Sequence, residues 1–246
     1  MLAKEQSRKP YLILGRTNSQ PRCRRSHLPR QNNTLILGAL PAMADSVLLL
    51  QVLLSGPAVN LRSVAEVIRN DVGLTIQLLR LVSLDHGERQ PVETSITRNV
   101  VHAGIEKLLT LVTEIEPLSS HPDGRAALRD CEQFWGQARL TALMAEELAY
   151  KTMYNDAEEA YVAGLLFHIG ELPLILGWQR EVTHSQPRVV AGLLAKDWGL
   201  SPLLQDVVRD DDRCSTSRPL LELVREADSQ ARRIQGLVAR FARKVF

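Results

Sequence analysis

A chain of 246 residues, 45% apolar and 24% charged, has the make-up of a globular protein with room for a sizeable core, which excludes a disordered or fibrous polypeptide. Aromatics are scarce at 4% while Leu, Val and Ala dominate, a balance suited to packed helices more than to a β-sandwich. The net charge of +2 hides an asymmetry: residues 1–30 carry eight bases against the single acid Glu5, so a basic segment precedes a mildly acidic body.

Cys23, Cys131 and Cys214 are far apart, odd in number and without metal-ligand spacing, which fits a reducing compartment and no disulfide framework. No apolar run approaches the ~20 residues that span a bilayer. Tyr11-Leu12-Ile13-Leu14 is too short for the apolar segment of a signal peptide, so the sequence reads as a cytoplasmic protein without membrane insertion.

Residues 1–34 are polar, basic and punctuated by Pro10, Pro21 and Pro29, and are read as a flexible extension in which only Tyr11–Leu14 suits a strand. Arg22, Arg24, Arg25 and Arg30 would make an arm for phosphates, but no aromatics interleave for base stacking, and a solvated tail explains them better. From Leu40-Pro41 the pattern turns helical. Met43 to Leu53 forms a first helix stopped by Gly56-Pro57, Asn60 caps a second with Leu61, Val64, Ala65 and Ile68 inward, and Asp71 caps a third from Leu74 to Val82. The junction Arg69-Asn70-Asp71 invites comparison with a helix-turn-helix; the nearly all-apolar helix after it offers few side chains to a groove, and two bundle helices explain it better.

Beyond a loop from His86 to Thr94, Ser95 caps a helix that Gly104 breaks, with Ile105 to Val112 continuing after the break. A loop from Ser119 to Arg125 divides an N-terminal helical half from a C-terminal one. Asp130 is placed to cap a long helix from Cys131 to Thr152, and a helix over 156–169 follows, with Val162, Leu165, Leu166 and Ile169 on one face. Gly170 stands where a left-handed C-terminal residue is expected, and Pro173 and Gly177 bound a connection. Helices are expected at 187–198, 202–209 and 217–244, the last amphipathic with Leu220, Val224, Ala227, Ala231, Ile234, Val238 and Phe241 on one stripe and arginines opposite. The fold class is all-α, in two helical halves spanning 35–246.

The order of several short motifs resembles the HDOD domain, a degenerate relative of the HD and HD-GYP metal phosphohydrolases. They are Leu40-Pro41, Ile68-Arg69-Asn70-Asp71, Leu78-Leu79-Arg80-Leu81, Ser95-Ile96, Phe134-Trp135, Ala163-Gly164-Leu165-Leu166, Ile169-Gly170, Trp198-Gly199-Leu200 and Ala227-Asp228. Each is weak alone; together they run from about Leu40 to Ala231. The resemblance implies a helical bundle in which the hydrolytic relatives hold divalent metal with His and Asp from several helices, to activate a water against a phosphoester.

On this chain the resemblance implies a ruined ligand set. Gln137 stands where the relatives present a His. Gly164 to Gly170 aligns with Gly-Leu-Leu-His-Asp-Ile-Gly, so Phe167 takes the His position and His168 the Asp position. Asp211-Asp212 lie near the place of a His-His pair, and Asp228 alone matches an acid. Phe offers no ligand and a Gln amide is a weak one for a hydrolytic ion, so no catalytic residues, metal or cofactor are expected. A rearranged site of His168, Asp211, Asp212 and Asp228 would need the helices to converge differently. His184 and Asp197 fail as an acid–base pair because no nucleophile stands at a recognisable spacing, and Glu158-Glu159 and Asp210-Asp211-Asp212 read as solvated acids near helix ends. The implied role is that of a bacterial signalling pseudoenzyme. It would bind a response regulator, a cyclic-dinucleotide enzyme or a kinase, the alternatives being nucleic acid binding through the N-terminal arm and a residual metal-dependent phosphohydrolase using the rearranged site.

Overall fold

The computed structural model describes residues 40–86, 94–120, 127–176 and 186–245, which belong to one compact unit beginning at Ala39. The basic segment 1–34, the Tyr11–Leu14 strand, most of the two inter-helix loops, Gly177 and His184 lie outside the described residues. Among those described there are helices and no strand, apart from a single bridge between Ala42 and Pro117. The chain is all-α, as the composition and periodicity indicate.

In the first half, α1 (Ala44–Ser55), α2 (Leu61–Arg69), α3 (Val72–His86) and α4 (Ile96–Glu114) pack around Leu50, Val64, Ile68, Leu78, Val100 and Leu108, all buried. Asn60 accepts from the amides of Arg62 and Ser63 and starts α2, and Ser95 accepts from Arg98 N–H and starts α4. Gly104, at φ +74°, bends α4 in the middle, a conformation open to glycine. Leu118 N–H donates to Ala42 O at 2.8 Å and draws the end of this half back to its beginning.

The second half is built on α5 (Leu128–Thr152), which packs along α6 (Ala157–Leu166) and α10 (Arg218–Val245). Small residues make the close α5–α6 approach: Ala138, Ala142, Ala145 and Ala149 are buried on one seam of α5, and a Cβ on Gly164 of α6 would lie 2.9 Å from Ala142 Cα. A 3₁₀ turn (Ile169–Glu171), α7 (Leu172–Ile175), α8 (Pro187–Asp197) and α9 (Pro202–Val208) complete the half.

Four local expectations are corrected. α5 begins three residues before Cys131, with Ala127 at its N-cap and Asp130 inside its first turn. The helix expected over 156–169 ends at Leu166, where the chain tightens into the 3₁₀ turn. Gly170 does not take a positive φ; it is glycine because an added Cβ would fall 1.9 Å from the carbonyl oxygen of Pro187. Pro173 lies in the first turn of α7, where its missing N–H costs nothing, and so does not bound a connection.

The two halves are joined by polar side chains. Arg69 of α2 meets Glu146 of α5 at 2.9 Å and stacks its guanidinium 3.9 Å above the Tyr161 ring of α6, while Tyr161 O–H donates to Arg69 O. Glu158, expected to be solvated, accepts from the Ile96 amide at 2.8 Å and so caps α4 from the other half. Its neighbour Glu159 accepts from Tyr154 O–H at 2.9 Å.

Candidate functional site

Four elements bring side chains to one point: the middle of α5, the end of α6, the 3₁₀ turn, and α10. The α5–α6 seam sets the distance between Thr141 and the residues after Leu166, and Ala227 and Ala231, buried on α10, carry Asp228 inward beside them. Asp228 is the hub. Its Oδ1 accepts from His168 Nε2 at 2.9 Å, from Gln137 Nε2 at 3.0 Å and from Thr141 O–H at 3.4 Å; its Oδ2 accepts from Arg232 Nε at 2.8 Å. His168 Nδ1 faces Glu171 Oε1 at 3.2 Å.

This geometry fixes the charges. Burial by itself disfavours a charged His168, but the hydrogen bonds to Asp228 and Glu171 outweigh it and push the imidazole up to about 9. Burial likewise works against an ionised Asp228, and is overridden by the bonds from His168 and Arg232, which hold the carboxyl well below the usual carboxylate range. The His168 bond also holds Glu171 down. At neutral pH the cluster is therefore an imidazolium and a guanidinium, 3.2 Å apart at their nearest nitrogens, sharing one partly buried carboxylate.

A divalent cation does not fit this arrangement. Both oxygens of Asp228 are taken by N–H and O–H donors, and both nitrogens of His168 face carboxylates. Gln137 turns its NH₂ toward Asp228 and leaves its own Oε1 buried without a partner. Phe167 supplies no donor; its ring meets that of His168 edge-on, centroids 4.9 Å apart. No group of three or more His, Cys, Asp or Glu among the described residues is placed to hold a metal. The positive charge opposite Asp228 comes from the protein itself.

Two hollows adjoin the cluster and share His168 and Glu171 in their lining. The larger, about 480 Å³, is lined by Phe167, His168, Gly170, Asp210, Arg225 and Asp228; the smaller, about 280 Å³, lies on the Gln137, Glu171 and Arg232 side. Of the residues singled out in the sequence, Gln137, Phe167, His168 and Asp228 come together here. Asp211 and Asp212 are not in the lining: Asp211 is bound by Arg213 at 2.6 Å, and the acid that turns inward is Asp210, at φ +55°, held by Arg225 at 2.6 Å and by Arg188. Reading the sequence missed Arg232, Thr141 and Glu171. Each lies one helical turn from a residue it did single out, at i+4 from Asp228, i+4 from Gln137 and i+3 from His168, and that spacing was the available signal.

An all-α bundle with a polar cluster where α5, α6 and α10 meet defines a class of domain that comparison makes specific. Residues 40–189 match the HDOD domain family, and the chain belongs to it. Among solved structures it is similar to the MmoQ response regulator of Methylococcus capsulatus, at 17% identity over 81% of this chain and 88% of that one, with a TM-score of 0.62. A virulence factor of Campylobacter jejuni is similar at 17% identity over 77% and 76% of the two chains, with a TM-score of 0.52. At these identities the likeness is one of fold. No curated protein matches the chain.

Proposed function

We propose that this chain is a non-catalytic signalling component that works by binding another protein. The observation that carries the reading is the saturation of Asp228: His168, Arg232, Gln137 and Thr141 occupy the carboxylate that a hydrolytic ion would require. With these partners in place Asp228 and His168 are committed to each other, so neither is offered as a metal ligand or as a general base toward a water. Membership of the HDOD family supports a signalling role, as does the fold shared with a protein described as a response regulator.

The surface offered to a partner is a helix face in preference to the cleft. α1 and α4 pack against each other and expose Leu48, Leu49 and Val52 on one and Val101, Ile105 and Leu109 on the other, apolar side chains of the kind that interface cores use. The test is a nuclease-treated affinity capture from native lysate with the full-length chain, a chain lacking residues 1–34 and a Val52→Glu/Val101→Glu variant, each checked for an unchanged melting temperature. One protein captured by the first two and lost with the third is the expected result. Capture that needs residues 1–34 and vanishes on nuclease treatment would replace this reading with nucleic-acid association.

A further inference from the structure

The apolar stripe of α10 outruns the bundle. Leu220, Val224, Ala227 and Ala231 are fully buried, but the same stripe continues through Ile234, Leu237, Val238 and Phe241, which are 38%, 53%, 63% and 66% exposed. The spacing i, i+3, i+4, i+7 places these four on one face, and nothing among the described residues covers them. The charge changes at the same point. After Asp228 the sequence contains no acid, while Arg232, Arg233, Arg240, Arg243 and Lys244 follow, in a body that otherwise leans acidic. Arg233 and Arg240 are exposed beside the apolar face and have no acidic partner among the described residues.

We propose that the C-terminal turns of α10, from Arg232 onward, are a docking strip for an anionic lipid surface. An apolar face flanked by basic side chains and free of acid lies in the plane of such a surface, with its apolar side at the acyl boundary and its bases among the phosphates. A second copy of the strip is a poor occupant, because pairing would set Arg233 and Arg240 of one copy against those of the other, and the sequence after Asp228 has no acid to offset them. The strip lies on the surface and does not cross it: at 1.5 Å per residue, Ile234–Phe241 is about 12 Å long against a hydrocarbon core of about 30 Å, and no described helix is long and apolar enough to span a membrane. The inference goes beyond the partner-binding reading and stands without it, since the strip is on a different element from α1 and α4.

The test is co-sedimentation of the full chain with vesicles of phosphatidylcholine alone and of phosphatidylcholine mixed with phosphatidylglycerol. The expected result is binding to the mixed vesicles only, weakened by salt. Val238→Glu/Phe241→Glu should reduce it about tenfold or more, and Arg233→Gln/Arg240→Gln should reduce it less. All four positions are exposed, so the melting temperature should not change. Failure of the unaltered chain to bind the mixed vesicles would overturn the proposal, as would undiminished binding by Val238→Glu/Phe241→Glu, which would place the lipid contact elsewhere. Self-association lost in Phe241→Glu without any vesicle binding would assign the strip to a second copy instead.

Discussion

His168 Nε2 lies 2.9 Å from Asp228 Oδ1, and each residue holds the other in its charged form. The pair is only slightly exposed, so water screens it weakly. Because the folded-state pKa of His168 is raised from 6.5 to about 9, its contribution to stability is complete below about pH 6.5 and is lost as the pH climbs through 9. Asp228 has the opposite sign: its pKa is lowered, so its contribution is present above the ordinary carboxylate range and fades in acid. Between pH 6.5 and 9 the unaltered protein should lose up to about 3 kcal/mol more than His168→Gln does, the upper limit set by the size of the shift. A ¹H–¹⁵N titration checks this directly. His168 should remain an imidazolium at pH 7.5 and titrate near 9, and an ordinary His titration near 6.5 would contradict the charge assignment.

Asp228 and Arg232 should differ sharply on mutation, although they bond each other. Asp228→Ala removes the acceptor shared by His168, Gln137, Thr141 and Arg232, leaves Arg232 facing the imidazole at 3.2 Å and lowers the His168 pKa, a loss of about 3 kcal/mol by urea unfolding. Arg232→Ala removes an exposed side chain one turn along the same helix and should cost no more than about 1 kcal/mol. Equal losses from the two would mean that the cluster is not organised around the carboxylate.

The same geometry predicts metal behaviour. Titration of the chelated protein with Mn²⁺ or Zn²⁺ should show no tight stoichiometric binding at pH 7.5, since a cation must first displace two protein charges from Asp228. One equivalent of tightly held metal would overturn both this expectation and the non-catalytic reading.

Much of the fold was legible because helix periodicity and capping are local. Asn60, Ser95 and the break at Gly104 appear where their chemistry places them, and the ends of α1, α8 and α9 fall within a residue or two. What the sequence could not show depends on pairing between distant residues. Glu158 looks like any acid in a first helical turn, and nothing near it reveals that α4 begins against it. Asp210, Asp211 and Asp212 are indistinguishable as a run; the positive φ that turns Asp210 inward follows from how α9 ends. Gln137, His168 and Asp228 were found by likeness to a family, whereas Arg232, the second cation on Asp228, occupies a position where that likeness offers nothing to notice.

Asp71 joins three elements and should be the most costly polar residue to remove in the first half. Fully buried, it accepts from the amides of Leu74 at 3.1 Å and Met43 at 2.9 Å and from Trp135 Nε1 at 3.2 Å, linking α3, the start of α1 and α5. Burial pushes its carboxyl up while those donors resist. Asp71→Ala removes the acceptor of these three donors and of the Ser46 side chain, and a loss of about 3 kcal/mol or more is expected; Trp135→Phe removes one donor and should cost about 1 kcal/mol. Trp135 is also the probe: the fluorescence difference between chains with Trp135 and with Trp135→Phe isolates it from the other two tryptophans, and it should shift in Asp71→Ala at temperatures where the helical signal is still native. Coincident loss of both signals would mean that the two halves unfold as one unit.

Gly104 and Gly170 separate two reasons for a glycine. At Gly104 the backbone is at φ +74° and ψ 162° and an added Cβ would meet nothing within 4 Å, so Gly104→Ala carries conformational strain alone, about 1–3 kcal/mol. At Gly170 the backbone suits any residue, but an added Cβ would overlap the Pro187 carbonyl at 1.9 Å and crowd Ala191 at 3.0 Å. Gly170→Ala must therefore push α8 away from the 3₁₀ turn, at a cost of about 3 kcal/mol or more. Because His168 and Glu171 flank Gly170 and Arg188 lies at the start of α8, the displacement would also move the His168 titration and open the larger hollow, while Gly104→Ala should leave both unchanged. Calorimetry with a His168 titration on both variants tests the distinction. A milder effect at Gly170 than at Gly104 would show that α8 yields easily and that the close contact does not fix the site.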